Sequence, residues 1–180
     1  MCRMGNPSVV ALIGQAGSGK SEVARHLIIN HSYQEVKFAG ILKEMLKSLG
    51  LSEEEINGSL KETPSSLLLG STPRHAMQTL GTEWGRDLIH PDMWAYAWKV
   101  QVTKYLPYGH KVVCDDCRFE NEVEAVYAFH GAQIWRILRK DLSPRMDHPS
   151  ERGNLPFDRT IKNYGSIGEL KTAVDGILSS

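Results

Sequence analysis

The stretch "VVALIGQAGSGKSEVARHL", residues 9–27, decides the fold class. It reads as a short apolar run, a glycine-rich turn and the start of a helix. Within it, Gly14-Gln15-Ala16-Gly17-Ser18-Gly19-Lys20-Ser21 forms a complete G-x-x-x-x-G-K-S. Gly14, Gly17 and Gly19 let the backbone turn tightly and aim its N–H groups inward, and the following helix adds its positive N-terminal end. Lys20 is placed to reach the β- and γ-phosphates of a nucleotide, and the Ser21 hydroxyl to ligate Mg²⁺. A glycine-rich turn matches such a pattern by chance in other settings. Here a buried strand precedes it and an amphipathic helix follows, which is the context that makes it a phosphate cradle. The open question is whether the terminal phosphate passes to water, to a small molecule or to nothing.

Outward from this stretch, apolar patterning predicts further strands at 33–38, 111–114 and 133–138, and a short last one at 160–161. Helices are expected over 20–30 and over 41–49, the second ending at Gly50 as a C-cap. Another starts at Pro73, with Met77, Leu80, Trp84 and Leu88 as its apolar stripe. Pro91 opens the next, with Trp94, Trp98 and Val102 one turn apart. Helices are also expected after Phe119, with Val123 and Val126 inward, and over 166–178. Residues 51–71 read as polar and turn-rich. Residues 139–157 read as a charged excursion carrying Pro144, Pro149 and Pro156. This alternation implies an α/β fold in three layers, a five-stranded parallel sheet flanked by helices. A chain of 180 residues suits one domain.

Lys plus Arg and Asp plus Glu both number 21, so the formal net charge is zero. That argues against a surface given over to nucleic acid, and no stable nucleic-acid binding is expected. No apolar run approaches the roughly 20 residues of a membrane helix, and the polar N-terminus lacks a signal peptide's apolar segment. A cytoplasmic location is the expectation. The cysteines are Cys2, Cys114 and Cys117, an odd count that does not suggest a disulfide scaffold. Cys114-Asp115-Asp116-Cys117 is a C-x-x-C with no second pair to complete a zinc site. Two small residues at a strand end are the plainer reading, with a redox pair as the alternative.

Asp115 and Asp116 end the strand Lys111–Cys114, where a Walker B acid would stand. Adjacent strand residues point to opposite faces, so one of the two is expected at the metal. In the helix from Pro73, Arg74, Gln78, Thr82 and Arg86 recur every four residues as a polar stripe, which suits either a phosphate or solvent. Gly81 and Gly85 thin the neighbouring surface, so that a ligand or another backbone could approach. A second basic cluster holds Arg136, Arg139, Lys140, Arg145 and Arg152, with His148 and Glu151 among them. It reads either as a charged loop or as an arm that closes over a transferring phosphoryl group.

The segments "TPRHAMQTLGTEWGRDLIHPDMW", "VVCDDCRFENEVEAV", "HPSE" and "FDRTIKNYGSIGEL", in order with "GQAGSGKS", resemble the deoxynucleoside monophosphate kinases of tailed bacteriophages. The resemblance spans most of the chain, and L-G-T-E-x-G-R and D-x-R-F-x-N-E are far more specific than the glycine loop. It implies one P-loop kinase domain over 1–180, with a helical monophosphate-binding part over about 40–107 and a lid over about 139–157. Residues 14–21 and Asn163 would bind ATP, Asn163 near the adenine. Lys43, Arg74, Gln78, Thr82, Arg86 and Trp94 would meet the acceptor. Lys20, Arg86, Asp116, Arg118 and Arg139 would act in catalysis, and Ser21, Asp115 and Asp116 would hold Mg²⁺. The acceptor's phosphate oxygen is already anionic, so no strong general base is required. Small-molecule nucleotides are the expected partners, and an exposed aromatic helix face would mark a homodimer. Other readings are a kinase for a dephospho-coenzyme A-like or modified pyrimidine acceptor, a nucleic-acid end kinase, and a nucleotide-hydrolysing switch, although no guanine-reading N-K-x-D is present.

Overall fold

The computed structural model describes residues 6–140 and 155–179. Five parallel strands form one sheet: β1 (Val9–Ile13), β2 (Tyr33–Glu35), β3 (Lys111–Cys114), β4 (Gln133–Arg139) and β5 (Arg159–Asn163). Their order is β2-β3-β1-β4-β5. Val9 pairs with Val112 and Val10 with Gln133, so β1 is the central strand. All five of its residues are buried. This is why its sequence is apolar without alternation: a parallel strand covered on both faces has no wet side.

The chain divides into two compact units, residues 1–37 with 99–180, and Phe38–Trp98. The first unit holds the sheet. Helices α1 (Lys20–His31) and α7 (Ile167–Leu178) pack on it, and Val23, Leu27, Leu170 and Val174 meet Val10, Leu12, Val113, Trp135, Ile137 and Ile161 in one core. Helix α6 (Glu120–Tyr127) lies against β1 and β4. Tyr33 is buried beneath α1, and its phenol donates to Pro7 O at 2.8 Å. β2 is shorter than its sequence suggests. Val36 N still donates to Val113 O at 3.0 Å, but the strand itself ends at Glu35.

The second unit carries α2 (Gly40–Leu49), α3 (Glu53–Ile56), α4 (Pro73–Thr79) and the first part of α5 (Met93–Val102). Its core is Leu42, Leu46, Leu51, Ile56 and Trp94. Residues 51–71 are turn-rich, and they also carry α3 and a 3-10 turn at Ser59–Glu62. Ser52 caps α3 by accepting from Glu55 N, while Glu55 Oε2 accepts from Ser52 N at 2.8 Å. That S-x-x-E box was readable in the sequence. The helix from Pro73, capped by Thr72, does not stay α. From Leu80 to Ile89 it is a π-helix. Bonding from i to i+5 puts more residues in each turn, so residues four apart slip round the axis. The expected apolar stripe therefore fails, with Met77 and Leu80 half-buried, Trp84 36% exposed and Leu88 75% exposed. Among the described residues no helix is long and apolar enough to cross a membrane.

Candidate active site

The turn between β1 and α1 is built on glycine. Gly14 has φ 141°, and a Cβ there would meet Ile137 O at 2.5 Å. Gly19 has φ 107°, and a Cβ there would meet Asn163 Nδ2 at 2.6 Å. Any other residue at either point would strain the backbone and displace β4 or β5. Gly19 is the N-cap of α1 and brings no capping side chain, the condition in which a helix N-terminus takes an anion. Asn163, at the end of β5, donates to Ser18 O at 2.8 Å, and Arg139, at the end of β4, donates to Gly17 O at 3.1 Å. Lys20 Nζ spans the loop, donating to Gly14 O at 2.7 Å and Gln15 O at 2.8 Å.

Ser18 is buried at 1% exposure, and among the described residues its hydroxyl has no hydrogen-bond partner. An orphaned buried hydroxyl costs free energy of about 1–3 kcal/mol. A phosphate oxygen in the cradle would satisfy it. The loop opens on a cavity of about 240 Å³ that is also lined by Arg118, Arg136 and Arg139. Three guanidiniums and one ammonium around one cavity make it a site for a polyanion.

Of the two aspartates, Asp115 is the one that reaches the cradle. Ser21 Oγ donates to Asp115 Oδ2 at 2.7 Å, and Lys37 Nζ lies 3.1 Å from Oδ1. Burial pushes the Asp115 carboxyl up. The Ser21 hydroxyl and the Lys37 and Lys20 ammoniums outweigh it and hold the group below its ordinary range. Burial likewise disfavours the Lys37 ammonium, but Asp115 and Glu35 overcome this and raise it. Asp116 is half-exposed and Arg118 exposed. A hydroxyl and a carboxylate side by side are hard oxygen donors of the kind Mg²⁺ takes, so these residues fit that ion.

Two residues that sequence reasoning did not single out support this site. Lys37 follows β2 and bridges Glu35 and Asp115, both at 3.1 Å. The E-x-K pattern at a strand end was its signal. Glu122 is buried at 3%, and its Oε2 accepts from Arg118 N at 2.7 Å and Phe119 N at 3.2 Å. It thereby fixes the backbone of the segment that carries Arg118. A carboxylate inside "CRFENE" with buried neighbours was its signal. Cys114 and Cys117 are free and buried, and burial pushes both thiols well up. They behave as small apolar residues at a strand end, the plainer of the two readings.

In the second unit, Arg74, Gln78 and Thr82 are exposed and Arg86 is half-buried. Arg74 Nε donates to Glu62 Oε1. Lys43 Nζ donates to Asn57 Oδ1 at 2.8 Å. Trp94 does not present itself to a base. It is 2% exposed, its Nε1 donates to Gly81 O at 2.7 Å, and its ring presses on Gly85. Gly85 thus makes room for an indole of this chain rather than for a ligand, while Gly81 supplies the carbonyl that accepts from it. Arg145, His148, Glu151 and Arg152 lie outside the described residues.

No known family's sequence model matches the chain. It is 31% identical over 182 residues to a protein of Acanthamoeba polyphaga mimivirus named "Putative deoxynucleotide monophosphate kinase", covering 92% of this chain and 93% of that one. It is 28% identical over 113 residues to the "Deoxynucleoside-5'-monophosphate kinase" of Escherichia phage T5, covering 57% of this chain and 44% of the relative. Among solved structures it shares its fold with TT1252 from Thermus thermophilus, at TM-score 0.53 and 17% identity over 97% of both chains. A "putative kinase" from Chloroflexus aurantiacus matches at TM-score 0.53 and 13% identity over 98% of both.

Proposed function

We infer the reaction from one premise: this chain belongs to the deoxynucleotide monophosphate kinase family. It phosphorylates a deoxynucleoside 5′-monophosphate to the diphosphate with a nucleotide as phosphoryl donor. In our reading the donor is ATP, and it occupies the cradle of residues 14–21, with Asn163 towards its base. Ser21 and Asp115, with Asp116 beside them, would hold Mg²⁺, which would supply neutralisation of the negative charge on the donor's phosphates. Asp115 is the acid we assign to the metal first, because it is the one hydrogen-bonded to Ser21.

The residues do the rest by charge and position. Lys20, Arg118 and Arg139 stabilise the negative charge that spreads over the transferring group, and Glu122 holds Arg118's backbone in place. The Phe38–Trp98 unit is the acceptor-binding part in this reading, with Lys43, Arg74, Gln78, Thr82 and Arg86 as its polar contacts and Arg86 also catalytic. Trp84, a residue 36% exposed, is the indole left for a base now that Trp94 is assigned to the core. The segment 139–157 is the lid. The acceptor attacks through a phosphate oxygen already ionised at neutral pH, so no side chain serves as a strong base.

The observation that carries this reading is the Ser21–Asp115 contact of 2.7 Å inside a complete glycine-lysine-serine loop. A coupled assay with ATP and Mg²⁺ across all deoxy- and ribonucleoside monophosphates tests it. ADP release is expected to depend on a deoxynucleoside monophosphate. Hydrolysis that proceeds equally well with no acceptor would overturn it.

A further inference from the structure

Away from the cradle, two imidazoles converge on one carboxylate oxygen. His26 Nε2 and His31 Nε2, both on α1, lie 2.6 and 2.7 Å from the same Asp175 Oδ1 on α7. Their ring centroids are 5.3 Å apart and the rings are inclined at 73°. One ligand atom from each of the three residues lies within 4.8 Å of the others, and this is the one such cluster among the described residues. His26 is buried, while His31 and Asp175 keep side-chain exposures of 22% and 50%. The group therefore has a dry side and a wet side.

Phosphoryl transfer makes no use of it. His26 is six residues beyond Lys20 on the same helix, about 9 Å along the axis, and His31 ends that helix. A helix C-terminus favours a cation through its dipole. Two imidazole nitrogens and one carboxylate oxygen form a borderline donor set suited to Zn²⁺, and three protein ligands leave a fourth position for water. The surroundings allow the required tautomer. Asn30 Nδ2 lies 3.0 Å from His26 Nδ1. An imidazole that ligates through Nε2 carries its proton on Nδ1 and needs an acceptor there. The Asn30 amide turned over offers Oδ1, giving up the long 3.4 Å bond from Nδ2 to His26 O.

We propose that His26, His31 and Asp175 bind a divalent transition-metal ion of the zinc class, which ties the C-terminal half of α1 to α7. The ion braces, from its far end, the helix whose first turn holds the phosphates. On binding, each neutral imidazole shifts its proton from Nε2 to Nδ1, and because protons compete with the metal for the same ligand atoms, binding weakens in acid.

The test uses the full chain stripped with a chelator and kept in excess Mg²⁺. Zn²⁺ affinity is read by chelator competition, stability by thermal midpoint, and ligand geometry by the visible spectrum of added Co²⁺. The expected result is one equivalent of Zn²⁺, a higher midpoint, and Co²⁺ bands of four-coordinate nitrogen and oxygen ligation. Asp175→Asn and His31→Gln should each lose about ten-fold or more in affinity. Neither replaces the buried His26, and if one variant fails to fold the other decides. Absence of stoichiometric binding, or equal affinity in wild type and variants, overturns the proposal and leaves a purely hydrogen-bonded staple.

Discussion

At the scale of single residues, the site rests on charges that hold one another. Lys20 Nζ donates to the loop carbonyls of Gly14 and Gln15. Lys20→Ala should therefore lower turnover by about 10²-fold or more while the thermal midpoint stays close to wild type. Steady-state kinetics and calorimetry on the same sample check both halves. Lys37 is different because it answers a buried carboxylate. Lys37→Met should cost about 1–3 kcal/mol, since it removes a charge-assisted partner of Asp115. The pH dependence has a defined sign. The carboxyl of folded Asp115 sits below its unfolded value, so its stabilisation is present above the unfolded value and vanishes as pH falls through the folded one. Without Lys37 the folded value rises. Acid unfolding followed by circular dichroism should then begin at higher pH in the variant.

At the scale of elements, the legible parts were those whose pattern is local. β1, its turn and α1 declare themselves within nineteen residues, 9–27, because burial, glycine geometry and helix start all act on neighbours in the chain. The π-helix of Leu80–Ile89 was not legible, because apolar spacing there mimics an ordinary helix. That one departure exchanges the roles of two tryptophans, leaving Trp84 partly exposed and Trp94 buried. It also sets a sharp contrast between two glycines. A Cβ on Gly85 would run into the Trp94 indole, whereas one on Gly81 would meet only Leu42 Cδ2, at 3.7 Å. Gly85→Ala should destabilise by about 1–3 kcal/mol through overpacking. Gly81→Ala should change stability by about 0.5 kcal/mol or less. Urea denaturation of the pair measures the difference.

At the scale of the whole molecule, the alternation of strands and helices was enough to read a parallel sheet, because crossovers between parallel strands need helices. The order of strands was not, since no residue records which distant strand it will meet. Lys37 and Glu122 escaped for the same reason: each earns its role from a partner on another segment, in one case Asp115 and in the other the backbone of Arg118 and Phe119. The strand order has a further effect on how the chain comes together. β1 is made before β3 and β4, its neighbours on either side, with Val9 waiting for Val112 and Val10 for Gln133. A ribosome emitting this chain exposes its most apolar strand long before either flank exists, and closing loops of that span is slow. The nucleotide cradle is thus translated well before the strands that complete it, leaving a nascent chain in greatest need of shelter at the segment its catalysis depends on.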